Sequence, residues 1–363
     1  MRILYLADQH FDYLSDPLYI GLSRVLGNEY VVDYPYKRLY HEPADTNWYM
    51  VQRPGICYQR EAVLDLLRDK GVDLVCVASF RSDCLQELQQ IYGRVPFPPI
   101  VFIDGADDPH IRHEVCARYP LALYFKRDYV WQMGSRWRDL SGLLWQFRGD
   151  RRLFDRTIPL SISIIPEILP SLRLGTKDID VSYTGRASYP RRLAVTSRLS
   201  RMAGVRFGGG VYGELTDRRS KLMTGAIKRL WTKVTGDGPV DHATVANKKD
   251  PPRYYREIME SKIAVHIRGG GRTPSPRYYE IPMLGTLLLS DTPESVIPNN
   301  FEHGRQAVFF RNDLKDLESL IRHYLHSDKE RETIAREGRA HVLTYHTCER
   351  RAAYFLDVCR RRI

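Results

Sequence analysis

Short apolar segments that are typical of buried strands alternate with amphipathic helical segments along this chain. RILYLAD (2–8), YVVDY (30–34) and VDLVCVAS (72–79) have the character of strands, and REAVLDLLRDKG (60–71) has the character of a helix ending at Gly71. Neighbouring parallel strands need long crossover connections, which are usually helices that cover the sheet. The alternation therefore predicts an α/β protein with a doubly wound parallel sheet.

The alternation is interrupted once, at TIPLSISIIPEILPSLRLGTKD (157–178), which is rich in proline and has no sustained helical period. It resumes at DVSYTG (180–185). A chain of 363 residues with 43% hydrophobic residues can supply a core for each of two domains. We therefore predict an N-terminal domain, a linker, a C-terminal domain and a last helix that packs back toward the N-terminal domain, at 1–165, 166–178, 179–340 and 341–363.

Composition excludes several classes of protein. No run approaches the ~20 apolar residues of a membrane span, and the N-terminus carries charge too early for a signal peptide, so we expect a cytoplasmic protein. The six cysteines form no CxxC pair, which argues against a disulfide framework or a zinc site. The net charge of +11 indicates an anionic partner, which could be a nucleotide, a nucleic acid or an anionic lipid.

The stretch GGGRTPSPRYYEIPMLGTLLLSD (269–291) joins a predicted strand to the next one through a basic loop and a short helix. Ligands of doubly wound sheets lie beyond the carboxyl ends of the strands, which is where this loop falls. Thr273 or Ser275 is predicted to cap the helix, and Arg272 and Arg277 would attract phosphate to its N-terminus.

Two further residues of this stretch have a predicted role. Glu280 lies one turn into the helix, where its carboxylate can accept hydrogen bonds from a ribose diol. Gly285 ends the helix and permits a sharp return into the strand. Pro282 should kink or shorten the helix because it removes a backbone hydrogen bond. The run GGG at 208–210 is interpreted as a tight turn, since no phosphate-binding fingerprint follows it.

From Tyr254 to Asp357 the sequence resembles the C-terminal half of GT-B glycosyltransferases of the group 1 type, most closely the branch similar to spore-maturation glycosyltransferases. The resemblance rests on SKIAVHI, on the spacing of Arg277 and Glu280, on GTLLLSD at 285–291 and on the helical region that follows. The N-terminal half resembles the family only in its rhythm of strands and helices.

This resemblance implies two Rossmann-like domains facing across a cleft, with a nucleotide-sugar donor bound by the C-terminal domain and an acceptor bound mainly by the N-terminal one. It implies transfer without a metal or other cofactor, and with retention of the anomeric configuration. Many relatives carry a glutamate where this chain has Arg272. The donor-binding residues implied by the resemblance are Gly185, Arg186, Arg192, His266, Arg268, Arg272, Arg277, Glu280, Gly285 and Thr286.

Catalytic candidates come from the N-terminal half. IDGADDPHIRH (103–113) could hold a metal, but we favour a cleft loop in which Asp104, Asp107, Asp108 or His110 contacts the acceptor. An inverting enzyme needs one general base, whereas a retaining one needs no dedicated protein base. The candidates for that base are Asp8, His10, Asp104 and His110.

Three alternatives concern the partner. SKLMTGAIKRLWTKVTG (220–236) is predicted to form an amphipathic, basic helix that could lie on the inner face of an anionic membrane or pack on the second sheet. The positive charge could instead serve a nucleic-acid-binding protein, or a glycosyltransferase that acts on modified bases in DNA. The acceptor itself could be a glycan, a lipid-linked glycan, a protein or a modified DNA base.

Overall fold

The computed structural model describes residues 1–42, 50–53, 55–130, 146–148, 150–172, 175–187, 189–212, 251–269 and 272–363. Two parallel sheets with flanking helices make up this part of the chain, which confirms the predicted α/β class. None of the helices in these ranges is long and apolar enough to cross a membrane. The proposed membrane-surface helix at 220–236 lies outside the described residues.

The first sheet has six described strands, which are in chain order β1 (Ile3–Leu6), β2 (Val31–Tyr34), β3 (Leu74–Val77), β4 (Ile100–Asp104), β5 (Leu121–Lys126) and β6 (Thr157–Pro159). Their order across the sheet is β2-β1-β3-β4-β5-β6, and all neighbours are parallel. Every residue of β1 to β4 is buried, as expected for strands covered on both faces. The helices of this half are α1 (Ser15–Leu26), α2 (Arg38–His41), α3 (Arg60–Arg68), α4 (Ser82–Ile91), α5 (His113–Arg118) and α6 (Arg151–Arg156).

The second sheet has five described strands, which are β7 (Ile179–Arg186), β8 (Phe207–Tyr212), β9 (Ser261–His266), β10 (Leu287–Asp291) and β11 (Val308–Phe310). Their order is β11-β10-β9-β7-β8, again with all neighbours parallel. After β7 the chain adds β8 on one side of that strand and β9 on the other, so the order of strands reverses between β7 and β9. Parallel α/β sheets bind ligands in the crevice that such a reversal creates. The helices are α7 (Pro190–Ser200), α8 (Pro251–Met259), α9 (Arg277–Met283), α10 (Leu317–His326), α11 (Asp328–Tyr345) and α12 (Cys348–Arg362).

The glycine run at 208–210 lies within strand β8, so its interpretation as a tight turn was wrong. Gly209 has a φ of +100°, and a Cβ atom there would lie 2.2 Å from the backbone oxygen of Tyr183 on β7. Glycine is needed here for two reasons. It allows β7 and β8 to approach closely, and it adopts the left-handed backbone conformation that other residues rarely adopt.

The last helix, α12, packs against the N-terminal half of the chain. A Cβ atom at Gly21 on α1 would lie 2.0 Å from the carbonyl oxygen of Cys348, so the two helices touch where α12 begins. The ring of Phe355 lies 4.7 Å from that of Phe125 on β5, between centroids. The chain therefore crosses between the two halves twice, once before β7 and once before α12.

The segment before β7 is fixed to the second sheet by Lys177. Its ammonium donates to the carbonyl oxygens of Met259 and Ser261, at 3.1 and 2.8 Å, and to the hydroxyl of Thr286 at 3.0 Å. Burial lowers the pKa of Lys177 to about 8.

Candidate functional site

Gly185 and Arg277 lie together at the carboxyl end of β7. A Cβ atom at Gly185 would lie 2.6 Å from the hydroxyl of Tyr183 and 3.5 Å from Nη1 of Arg277. Only glycine at this position leaves room for the tyrosine and the guanidinium side by side. The loop after β9 and the start of α9 thus reach across to the end of β7.

Arg192, on the first turns of α7, bridges the ends of β7 and β9. Its Nη1 donates to the carbonyl oxygen of Arg186 at 3.1 Å, and its Nη2 to that of Ile267 at 3.5 Å. The guanidinium also lies over the ring of Tyr189, 5.6 Å from the centroid. Arg192 is only 7% exposed, and burial lowers the pKa of its guanidinium.

Arg192 and Arg277 each have a buried guanidinium nitrogen without a hydrogen-bond acceptor, as do several other arginines of the described ranges. Nε of Arg192 and Nη1 of Arg277 are buried without a hydrogen-bond acceptor, as is the hydroxyl of Tyr183 between them. Within the described ranges, neither guanidinium has an ion pair with a carboxylate. Buried charges are normally paired, so this region has positive charge and donor atoms to offer an anion.

The neighbouring arginines are placed differently. Arg268 is held by Asp291 and Glu294, with its Nη2 2.6 Å from the Glu294 carboxylate, and Nε of Arg272 lies 3.7 Å from the same carboxylate. Arg186 is exposed at the end of β7. Unlike Arg192 and Arg277, these three arginines are either close to a carboxylate or exposed to solvent.

Glu280 is buried under α8, with 3% of the residue exposed. The hydroxyl of Tyr254 donates to its Oε2 at 2.9 Å, and the hydroxyl of Tyr255 lies 3.5 Å from Oε1. Burial raises the pKa of Glu280, and the Tyr254 hydroxyl and the positive charge of Arg277 only partly oppose this effect. The structure brings Glu280, Arg277 and Gly185 into one region.

His266, the last residue of β9, organises the loop before α9. Its Nδ1 lies 3.0 Å from the hydroxyl of Ser290, and the backbone N–H of Ser275 donates to its Nε2 at 3.3 Å. Burial, followed by three nearby guanidinium groups, lowers the pKa of His266 well below its usual value, so the ring is neutral. The predicted capping of α9 by Thr273 or Ser275 was wrong, since Pro276 precedes the helix without a side-chain cap and Ser275 contacts His266 instead.

Gly285 and Thr286 are at the opposite end of α9, where β10 begins. Gly285 has a φ of +73°, as expected for a residue that ends a helix. The hydroxyl of Thr286 donates to the carbonyl oxygen of Ile258 at 2.6 Å and accepts from Lys177. The structure does not bring these two residues to the carboxyl ends of the strands, where the other predicted donor-binding residues lie.

Asp8 and His10 form a hydrogen-bonded pair after β1. Nδ1 of His10 lies 3.2 Å from Oδ1 of Asp8, and Nη1 of Arg81 donates to both carboxylate oxygens, at 3.2 and 3.0 Å. Burial alone would raise the pKa of Asp8, but hydrogen bonds from Ser79, Arg81 and the His10 backbone outweigh it and lower the pKa. The side chain of His10 is 65% exposed, so its other ring nitrogen is available to a ligand.

Asp83 lies close to this pair. One ligand atom from each of Asp8, His10 and Asp83 can be placed within 4.8 Å of the others, so the three have the residue types to hold a metal ion. The guanidinium of Arg81 already provides a positive charge at the Asp8 carboxylate.

Asp104 and His110 were predicted to lie on one cleft loop, but the structure places them in different surroundings. Asp104 is fully buried and accepts from the hydroxyl of Tyr124 at 2.5 Å, the ammonium of Lys126 at 2.8 Å and the backbone N–H of Ala106 at 3.1 Å. It therefore anchors the start of the loop. His110 is exposed on that loop, and its backbone N–H donates to Asp108. Their role as a general base stays a prediction.

Sequence reasoning missed the residues that follow β5. Nη2 of Arg127 lies 3.5 Å from the carbonyl oxygen of Pro274, and the backbone N–H of Arg272 lies 3.4 Å from Oδ2 of Asp128. The backbone N–H of Val296 donates to Tyr129 at 2.7 Å. A charged pair directly after a buried strand was the available signal.

Comparison with known proteins gives a consistent picture. A family model described as "Glycosyl transferase-like" matches residues 217–357. No curated protein sequence matches this chain significantly. Solved structures do match it. The Anabaena protein Alr3699/HepE, in complex with UDP and glucose, is 12% identical, with a TM-score of 0.58 and 99% of each chain covered.

Two further solved structures are similar over nearly the whole length. A glycosyltransferase from Rickettsia africae is 8% identical with a TM-score of 0.61, and 99% of this chain and 98% of that chain are covered. Sucrose-phosphate synthase from Thermosynechococcus elongatus is 13% identical with a TM-score of 0.53 and 99% of each chain covered. The resemblance to the spore-maturation branch stays a prediction. The chain has the two-domain GT-B fold, with two Rossmann-like domains, as predicted.

Proposed function

We propose that this protein is a glycosyltransferase that moves a sugar from a nucleotide-activated donor to an acceptor. The proposal rests on Arg192 and Arg277 at the carboxyl ends of β7 and β9, since each guanidinium has a buried nitrogen atom without a hydrogen-bond acceptor. Leaving such donor atoms unpaired costs free energy, which an anionic ligand would recover. A nucleoside diphosphate supplies that charge, and the same arginines would stabilise it as the leaving group.

The nucleoside would extend from the diphosphate toward Glu280. This carboxylate lies beside Arg277 and is hydrogen bonded by Tyr254. A carboxylate has about four acceptor positions, so it can accept from a ribose diol in addition to, or in place of, the tyrosine hydroxyls. The proposal assigns the ribose to Glu280 and the diphosphate to Arg192 and Arg277.

We propose further that the transfer needs no bound metal, because guanidinium groups can neutralise the developing charge on the diphosphate. Slow hydrolysis of UDP-glucose to UDP and glucose, with water as the acceptor, should then continue in excess EDTA. Loss of that activity on chelation, with recovery on adding Mg²⁺ or Mn²⁺, would contradict this part and would direct attention to Asp8, His10 and Asp83.

Retention of the anomeric configuration is the course that the resemblance supports. The pair of Asp8 and His10 favours the second course, inversion, because a carboxylate that orients an exposed imidazole is the arrangement of an enzymatic general base. The anomeric configuration of the product, read by NMR, decides between them. The acceptor is assigned to the N-terminal domain in either case.

Calorimetric titration with nucleotides tests the proposal. UDP is the first ligand to try, since the Anabaena protein was solved with UDP, and ADP, GDP and dTDP complete the panel. We expect one of them to bind and Arg277→Gln to weaken that binding by about 10- to 100-fold, the usual cost of losing charged hydrogen bonds. Arg336→Gln, on the exposed face of α11, is the matched control and should bind as the wild type does.

Two outcomes would contradict the proposal. One is that none of the four nucleotides binds the wild-type protein. The other is that Arg277→Gln binds the selected nucleotide as tightly as Arg336→Gln does. Thermal unfolding of each variant, recorded without ligand, shows whether the substituted proteins are folded.

A further inference from the structure

The segment after β5 contacts the loop before α9 across the two halves of the molecule. Asp128 lies at the centre of this contact, where its Oδ2 is 3.4 Å from the backbone N–H of Arg272. Arg127 reaches the carbonyl oxygen of Pro274 at 3.5 Å and is itself held by Asp107 at 2.8 Å. The contact joins the N-terminal domain to the loop that carries the proposed donor-binding residues.

Two side-chain oxygen atoms at this contact, together with Nε of Arg127, have no hydrogen-bond partner. Oδ1 of Asp128 and the hydroxyl of Thr273 are buried without a hydrogen bond, and the residues are 0% and 5% exposed. Buried polar atoms without partners are rare in folded proteins, and a carboxylate oxygen is among the most costly. Thr273 follows Arg272 directly, so both atoms belong to the same small region.

The position of this region relative to the proposed diphosphate site limits what could satisfy these atoms. The loop begins near Arg192, whose Nη2 would lie 3.6 Å from a Cβ atom at Gly269, and it ends at Arg277. A diphosphate bound between these two arginines would place the group attached to its far phosphate beside the middle of the loop, and therefore beside Asp128. In a nucleotide sugar that group is the sugar.

We infer that Asp128 and Thr273 bind hydroxyl groups of the donor's sugar, so that a carboxylate of the N-terminal domain helps to select the sugar. This inference rests on the proposed function. A sugar hydroxyl can donate to the carboxylate and also pair with the threonine hydroxyl, which can donate or accept. A negatively charged group of the ligand would be repelled by Asp128, whereas a sugar hydroxyl is uncharged. The side chain of Arg272 lies near the Glu294 carboxylate, whereas its backbone N–H contacts Asp128 and orients that carboxylate.

A purely structural joint would have the same contacts, so the test compares a ligand with the sugar and one without it. Asp128→Asn keeps the size of the side chain and removes its charge. Calorimetric titration should give an unchanged affinity for UDP, or for whichever nucleotide of the panel the wild type binds, whereas the affinity for the glucose derivative of that nucleotide should fall by about 10- to 100-fold. Thr273→Val should show the same selectivity with a smaller loss, about 3- to 10-fold.

Asp65→Asn makes the same chemical change on the exposed face of α3 and should alter neither affinity. Equal weakening of UDP and UDP-glucose by Asp128→Asn, or no change in either, would overturn the inference while leaving the proposed function standing. Failure of the wild-type protein to bind any nucleotide or nucleotide sugar would overturn both. Should Asp128→Asn not fold, Thr273→Val decides the question by the same comparison. UDP-galactose and UDP-N-acetylglucosamine are titrated alongside UDP-glucose, and the tightest of the three serves as the probe.

Discussion

At the scale of single residues, Arg192 is held without the help of an acid. Two backbone carbonyl oxygens and the ring of Tyr189 surround its guanidinium, and its Nε has no acceptor. Burial lowers its pKa, which means that the folded protein disfavours the charged form. The charged Arg192 therefore destabilises the protein without ligand, and a bound anion would offset this effect. Residues of binding sites commonly destabilise the free protein in this way.

Arg192→Met tests this interpretation directly. It retains a long side chain and removes the buried charge, so the free energy of unfolding without ligand should be equal to that of the wild type or higher by about 1 kcal/mol. The stabilisation produced by UDP in the wild type should be lost in the variant. Thermal and urea unfolding with and without UDP provide both quantities. A fall of several kcal/mol without ligand would instead identify Arg192 as a structural residue.

At the scale of elements, the segment before β7 is attached to the second sheet through one buried lysine. Lys177 donates to three oxygens that come from the end of α8, from β9 and from the start of β10. It thereby connects the linker to the end of the sheet opposite the proposed site. Thr286 belongs to this attachment, which gives it a structural role that the sequence pattern did not reveal.

The lowered pKa of Lys177 predicts a pH dependence. Burial puts the pKa at about 8 in the folded protein, whereas an unfolded lysine titrates near 10.4. Between these values the unfolded chain binds a proton that the folded protein has released, so folding becomes more favourable as the pH rises. The free energy of unfolding of the wild type, relative to Lys177→Met, should therefore increase by about 1–3 kcal/mol between pH 7.5 and pH 10. Urea unfolding at several pH values measures this difference, and a flat difference would refute the assignment.

At the scale of the whole molecule, the two sheets and their order along the chain could be predicted because buried parallel strands are short, apolar and separated by helices. The position of Arg277 and Glu280 near the strand ends followed from the rule that ligands lie at the carboxyl ends of strands, whereas Arg192 was implied by the resemblance to the family. The contact of Asp128 with Arg272 could not be predicted, since it depends on how the two domains meet. The glycine run at 208–210 was interpreted as a turn because close packing of two backbones leaves no apolar pattern in the sequence.

The net charge of +11 gives a further prediction at this scale. Many of the arginines in the described ranges are paired with carboxylates, as at Arg268, Arg311 and Arg361, so the charge is dispersed and partly neutralised. We expect weak retention on duplex DNA at about 150 mM salt, where charges are screened beyond roughly 8 Å. Tight binding with a log–log salt slope of several units would support the nucleic-acid alternative and make DNA the acceptor to test.

We propose that Arg192, Arg277 and Glu280 form the binding site of a nucleoside diphosphate, and a crystal structure of the protein with UDP would locate the ligand. In that structure we expect the diphosphate oxygens to accept hydrogen bonds from Arg192 and Arg277, and the ribose hydroxyls to donate to Glu280. Electron density for the nucleotide at any other place, with these three side chains unchanged, would contradict the proposal.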